Sequence, residues 1–416
     1  MSKILDRYFG SIIFALALIC YFQFFRFSAV PYMVKAISQV AMSALLIILI
    51  IVRVVYYKDS YNIKMHFKGL ILTLVIASLP SYFIAYSYHH QSFLISLYAN
   101  KLIFFYLLYF FLHLYKVPVK DILRIFVVTG LLAVLLYYAQ LAVYPRFFMD
   151  VVSMETRGTI RLFIAGMICT IVAYFYFLNR FFETYNYRAL IFALICFSTF
   201  LLQGTRQLIF GTIFLTLVNI IISNRVKSKA LIILLISFAS VAVFFVFREI
   251  FMGIAMVSSN QAQNFESDIR VQAANFFLTD FMPTDWAYIF GNGNSDAGSP
   301  YDIKITYYAL KYKFFQSDIG VLGDYVKYGI VFTIAGLILI ARALLFKIPG
   351  HYVFLKFYIL AQCFTLLTGK GIFGGTDIVI VSILYIFDAV RAEYTETVKQ
   401  ETLYDSGNLS VVYKNA

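Results

Sequence analysis

The chain has 416 residues, 62% of them hydrophobic and only 13% charged, with mean hydropathy +0.82 and a formal net charge of +13. Soluble domains carry about 45–50% apolar and about 25% charged residues, so an ordinary soluble globular protein is excluded. Four cysteines and seven prolines exclude a disulfide scaffold and a Pro-rich linker, and the basic residues lie scattered between apolar runs, which argues against a nucleic-acid groove.

Apolar runs long enough to cross a hydrocarbon core, about 20 residues, are centred on 9–25, 33–52, 69–87, 93–115, 122–144, 160–178, 187–203, 207–223, 230–247, 319–341, 352–369 and 372–390. They predict an all-α polytopic membrane protein with twelve transmembrane helices and one large extracytoplasmic loop. Residues 1–247 hold helices one to nine, 248–318 an extracytoplasmic loop or cap, 319–390 helices ten to twelve, and 391–416 a polar, disordered cytoplasmic tail. The first run follows Lys3, Asp6 and Arg7 and continues to Phe25 without a small-residue cleavage site, so it reads as a retained span. Lys and Arg concentrate in alternate loops, from Arg53, Lys58, Lys64 and Lys68 to Arg342, Lys347 and Lys356. The positive-inside rule then sets both termini in the cytoplasm.

In chain order, the first outer segment, 26–35, holds Arg26 and Lys35 but no acid. His89 and His90 read as interfacial residues of the next outer loop, and Lys101 falls inside the fourth run. A buried lysine there serves either a substrate or proton pathway or helix–helix hydrogen bonding. Arg157 and Arg161 stand one helical turn apart where the sixth run emerges outside. Arg206 stands in the outer turn Gln203-Gly204-Thr205-Arg206-Gln207 between the seventh and eighth runs. A guanidinium at the lip of a helix bundle is costly without an anion, and its planar fork matches phosphate oxygens. Three of them on one face predict a pyrophosphate or sugar-phosphate site. The plainer alternative pairs them with Glu155, other loop carboxylates or lipid headgroups. Cys20, Cys169, Cys196 and Cys363 lie within runs and show no metal-ligand spacing, so neither metal nor cofactor is expected.

Within 248–318, Ser267 precedes a predicted helix with Ile269, Ala273, Phe276 and Phe277 on one face. Gly291-Asn292-Gly293-Asn294-Ser295 and Gly298-Ser299-Pro300 read as turns, and Ile305, Tyr308, Tyr312 and Phe315 recur as an amphipathic helix on the outer leaflet. Asp318 follows Gln316-Ser317 at the entrance of the tenth run, as a helix cap or a catalytic base. Asp324 and Lys327 are spaced for an intrahelical ion pair. The last outer loop, 369–377, brings Lys370 and Asp377 into a glycine-rich segment that lacks the strand–loop–helix context of a P-loop.

The ordered pattern resembles the O-antigen polymerase and O-antigen ligase superfamily of bacterial envelopes. The features that carry the resemblance are the twelve-span profile, the arginine pair in an outer loop, and Gly204-Thr205-Arg206 opening a span. To these are added the large loop before the last three spans and its end, Phe290-Gly-Asn-Gly293 and Gln316-Ser-Asp-Ile-Gly-Val-Leu-Gly-Asp-Tyr-Val-Lys-Tyr-Gly329. The resemblance implies a metal-independent inverting glycosyltransferase of the bacterial cytoplasmic (inner) membrane. Its substrate would be an undecaprenyl-pyrophosphate-linked glycan, polymerised into O-antigen, capsular or exopolysaccharide on the outer face. Carried over, Arg157, Arg161 and Arg206 would hold the donor pyrophosphate, and Gln207, Gln316, Lys370 and Asp377 would line the substrate. Ligases of the superfamily commonly place a His in the long loop, and 248–318 contains none. Gln316 or Asp318 occupies the comparable place, which leans toward the polymerase branch. Membrane lipids, a chain-length regulator and a flippase are the implied partners, and nucleic acid is not. Lipid-monophosphate glycosyltransferases usually carry acids in the first outer loop, and 26–35 departs from that pattern. The rival class is a lipid-linked oligosaccharide flippase, which would show two similar halves, broken spans and polar midplane residues.

Overall fold

In a computed structural model of the chain, the described residues are 2–56, 64–156, 159–222, 268–366 and 378–392, with single positions 229, 245, 248, 252, 259, 369 and 371. The expected ninth span, Ser267, Arg157, Lys370, Asp377 and most of the C-terminal tail lie outside them.

The protein is mostly helical. Helices α1 (Ser2–Tyr21) and α2 (Tyr32–Tyr56) are followed by α3 (Lys68–Ser78) and α4 (Ser81–His89), then α5 (Phe93–Ala99), a 3-10 segment Lys101–Leu107 and α6 (Leu108–Tyr115). Helix α7 (Val119–Ala142) leads into strands β1 (Val152–Thr156) and β2 (Thr159–Phe163). Helices α8 (Met167–Thr184), α9 (Tyr187–Gln203) and α10 (Arg206–Ile222) complete the first half. After 268 come α11 (Ile269–Leu278), α12 (Asp285–Phe290), α13 (Pro300–Tyr312), a 3-10 turn Gln316–Ile319, α14 (Val321–Leu345), α15 (Phe354–Cys363) and a helix α16 over 378–392. Among the described residues, five stretches are long and apolar enough to cross a membrane, namely Asp6–Arg26, Tyr32–Tyr56, Lys68–His89, Val119–Ala142 and Val321–Leu345. Phe93–Tyr115 makes a sixth if its bent halves count as one span.

The start of the sixth expected span is corrected. Thr159–Phe163 is the second strand of an antiparallel hairpin, paired with β1 in the register Met154–Arg161 and Thr156–Thr159. The cause is a period of two. Ile160, Leu162 and Ile164 pack with Ala133, Leu136 and Tyr137 of α7 and with Met167, while Arg161 and Phe163 alternate with them. Gly166, with φ +89°, ends the extended segment, and α8 begins one residue later. Arg161 therefore stands on a strand and not on a helical turn.

Close helix contacts fix the frame behind the hairpin. A Cβ at Gly130 would lie 2.7 Å from the Cys169 carbonyl oxygen, so only glycine lets α7 approach α8 there. Thr170 Oγ1 donates to the Gly130 carbonyl (3.1 Å), Tyr138 meets Ser198 (2.6 Å), and Tyr174 meets Thr216 (2.7 Å). These bonds tie α7, α8, α9 and α10 together.

A smaller core joins 268–319 to the bundle. Ala273, Phe277, Phe281, Met282, Ala287 and Tyr301 pack on Ile84 of α4 and Val326 of α14. Helix α14 breaks at Gly329 (φ +79°), which frees the carbonyls of Val326 and Lys327. Asn292 N and Gly293 N donate to them, each at 2.8 Å. A helix break inside an apolar bundle needs such substitute donors.

At the other end of α14 lies a buried acid. Asp388 accepts from His66 N (3.2 Å), His66 Nδ1 (2.8 Å) and the Tyr109 hydroxyl, with His113 Nε2 at 3.3 Å. Nearby elements carry Arg53–Asp6 (3.1 Å) and Ser11 Oγ donating to Asp121 (2.8 Å).

Candidate functional site at the hairpin end

Arg161 is aimed by two neighbours. Its Nε donates to the Gln203 carbonyl (2.8 Å), one of the carbonyls left without a helical partner at the end of α9. Its guanidinium lies 5.1 Å from the centroid of the Phe163 ring, its partner on the same strand face. Gln203 holds the hairpin a second time, through Nε2 to the Leu162 carbonyl (3.4 Å).

Arg206 follows at once. Gly204 takes the left-handed conformation (φ 61°) that closes α9, and α10 starts at Arg206. The turn read from the sequence is present. Burial holds the Arg161 guanidinium below its usual pKa, and the charge of Arg206 pushes the same way while Tyr137 opposes. Burial likewise lowers Arg206, and the next largest contribution is the charge of Arg270, opposed by Asp268. Arg206 of α10 thus acts on Arg161 of β2 and is acted on by Arg270 of α11.

Arg270 was missed by reading the sequence. It sits in the first turn of α11, whose cap is Asp268, the carboxylate accepting from Arg270 N (2.8 Å). The expected cap, Ser267, lies one residue too early. The signal was available: Asp-Ile-Arg ahead of an apolar face places an arginine in the first helical turn.

The remaining candidates separate into three places. Gln207 is beside the last loop, with Oε1 3.6 Å from where a Cβ at Gly369 would stand. A Cβ at Gly371 would collide with the carboxylate of Asp324. The two glycines flanking Lys370 are therefore seated against α10 and α14. Gln316 is buried in the small core, against the Tyr301 hydroxyl, and its Nε2 has no acceptor among the described residues. Asp318 is exposed and accepts from Ser317 Oγ (3.2 Å). It does not cap α14, which begins at Val321 behind Gly320 with no side-chain cap. Its 3-10 turn packs against α11, the helix of Arg270.

His89 is an internal group and not an interfacial one. It is buried, stacked on Tyr301 (4.2 Å between centroids), with Nε2 3.1 Å from Asn292 Oδ1. Among the described residues no cluster of His, Cys, Asp and Glu is arranged to hold a metal ion.

Comparison with protein families, curated proteins and solved structures returns no match to the chain. The functional reading therefore rests on the site's chemistry.

Proposed function

We propose that the protein is a membrane-embedded inverting glycosyltransferase that polymerises undecaprenyl-pyrophosphate-linked oligosaccharide units. The observation that carries this reading is the guanidinium of Arg161, fixed on the hairpin by the Gln203 carbonyl at the turn that opens α10, in the field of Arg206, which is itself in the field of Arg270. Like charges gathered at a partly buried site are stabilised by an anion of higher charge, and a diphosphate offers oxygens in the geometry of the guanidinium fork. In this reading the protein has twelve spans, the hairpin end faces outward, and the Asp388 end faces the bacterial cytoplasm.

The lipid tail enters between helices and the diphosphate rests on the arginines. An acceptor hydroxyl attacks the anomeric carbon from the face opposite the diphosphate, and the C–O bond to the diphosphate breaks with its electron pair on the leaving group. The arginines stabilise that developing charge. Gln207, beside Gly369, extends the same face toward the last outer loop.

The second reading is a lipid-linked oligosaccharide transporter. It is favoured by two broken spans, the 60° bend between Phe93–Ala99 and Lys101–Tyr115 and the break at Gly329. One experiment separates the readings: purified full-length protein in lipid vesicles with a defined undecaprenyl-pyrophosphate oligosaccharide. A ladder of products supports the polymerase, a single transfer to a lipid acceptor the ligase, and leaflet exchange without a ladder the transporter.

A further inference from the structure

Helix α13 is apolar on two opposite sides, and only one of them is covered by the described residues. Tyr301, Ile305 and Tyr308 pack into the small core. Ile303, Tyr307 and Leu310, at i, i+4 and i+7, form the opposite row and are 65%, 49% and 69% exposed. Ile305 and Tyr308, expected from the sequence to face lipid, are thus the packed side, and the open row lies across the helix from them. Three large apolar side chains in line on a helix outside the spans mark a surface that something covers.

Charge tells what the cover is. Lys304 and Lys311, seven residues apart, run along one edge of the row, and Lys313 closes the helix in the left-handed conformation (φ 61°). All three are exposed. Lys311 Nζ donates to the Tyr307 hydroxyl (2.7 Å) and lies 5.1 Å from the centroid of the Tyr312 ring. Its stem follows the aromatic rings and its ammonium stands at their rim, as in a snorkelling lysine. Asp302 is the single acid between Pro300 and Lys313, and it is turned back into the preceding turn. Its carboxylate accepts there from Gly298 N (3.3 Å) and Ser295 Oγ (3.4 Å). The open side of α13 is therefore apolar along its middle and basic at its edge, which complements an anionic membrane surface.

The level of the helix fits the same cover. Ser299, its N-cap, donates to Gln91 Oε1 (2.8 Å), and the Tyr301 ring stacks on His89 (4.2 Å between centroids). His89 is the last residue of the apolar stretch Lys68–His89, so α13 starts where that stretch ends. Phe83 and Tyr86 of the same stretch are exposed, which makes an apolar surface beside the start of α13. On the inner side, Tyr308 meets Phe276 of α11 (4.5 Å between centroids), so a seated α13 also fixes the helix whose first turn holds Arg270. We propose that α13 docks on the anionic lipid surface through Ile303, Tyr307 and Leu310, with Lys304, Lys311 and Lys313 at the lipid phosphates. This inference rests on the membrane-embedded part of the reading above and not on its chemistry.

The test uses the full chain in nanodiscs of phosphatidylcholine, with or without phosphatidylglycerol. Trp286 is the single tryptophan, so Trp286→Phe gives a background without one. In that background Leu310→Trp and Ile303→Trp report on the row, and Phe83→Trp reports on the stretch Lys68–His89. With phosphatidylglycerol present, both row probes should be quenched by lipids brominated on the acyl chain and shielded from aqueous acrylamide. Adding Lys304→Gln, Lys311→Gln and Lys313→Gln together should lower the docked-to-free ratio about ten-fold or more, as should leaving out phosphatidylglycerol. Should one row variant fail to fold, the other carries the comparison. Row probes open to acrylamide and untouched by bromolipid, while Phe83→Trp is quenched, overturn the docking and leave the membrane-embedded reading standing. Row probes shielded from both quenchers give the row to a second copy or another segment of the chain, and overturn the docking equally. Lipid contact that responds neither to phosphatidylglycerol nor to the lysines overturns the anionic partner. Failure of bromolipid to quench Phe83→Trp overturns the membrane-embedded reading, and the docking with it.

Discussion

The two ends of the bundle treat charge in opposite ways. At the Asp388 end a carboxylate that is almost fully buried is surrounded by donors from the segment before α3 and from α6. Tyr109, which donates to it, in turn accepts from Phe67 N (3.2 Å). His66 and Tyr109 hydrogen-bond Asp388 and His113 lies within ion-pair distance of it, so the cluster fastens α16 to the bundle. At the hairpin end Arg206 adds to the electrostatic cost of Arg161, and Arg270 to that of Arg206, where Asp268 opposes it. The contrast sets a carboxylate met by donors against cations that, in the proposed reading, hold a diphosphate.

Two substitutions should break the comparison most sharply. Arg206→Ala should reduce ladder formation about 100-fold or more while leaving the protein inserted and its thermal unfolding unchanged within a degree or two. Normal chain lengths in that variant would remove the diphosphate role. Asp388→Ala should do the reverse. It strands the buried Tyr109 hydroxyl and His113 and removes the partner of the partly exposed His66, at a cost of about 3–5 kcal/mol. Its unfolding temperature in detergent should fall steeply, and whatever remains folded should keep its affinity for undecaprenyl diphosphate. Equal stability of Asp388→Ala and wild type would show that the cluster does not fasten α16.

Much of this end-to-end contrast was legible in the sequence, and the rest was hidden for physical reasons. The turn at Gly204 was readable because a glycine between two apolar runs marks a left-handed cap. Arg206 as a lip residue followed from it. The hairpin was not, because Thr159–Phe163 continues directly into an apolar helix and hydropathy averaged over a span-length window hides a period of two. The small core of 268–319 was half legible: Ala273 and Phe277 are buried as their spacing implied, whereas Ile269 is 42% exposed. Tyr308 does lie on the packed side of α13, although the helix covers the small core there. Asp388 drew no attention, since its partners His66, Tyr109 and His113 are hundreds of residues away. Long-range pairing of that kind leaves no local pattern.

The comparison can be sharpened with smaller effects. Arg161→Lys keeps the charge but loses the planar fork, and a lysine cannot at once hold the Gln203 carbonyl and offer two donors to a diphosphate. Ladder formation should drop about ten-fold, a loss equal to one charge-assisted hydrogen bond. Full activity would reduce this position to simple charge.

The smallest effect is the most diagnostic. Arg270 adds to the burden on Arg206, so Arg270→Ala should relieve repulsion in the empty protein and raise its stability by about 0.2–1 kcal/mol. The Asp268 cap survives, because it accepts from the backbone N–H and not from the side chain. Yet the same variant should bind undecaprenyl diphosphate a few-fold more weakly, since one cation fewer meets the ligand. A purely structural arginine, paired and satisfied, would lose stability on truncation. Opposite signs in thermal unfolding and in binding are therefore expected only where like charges are held together for an anion that folding itself does not provide.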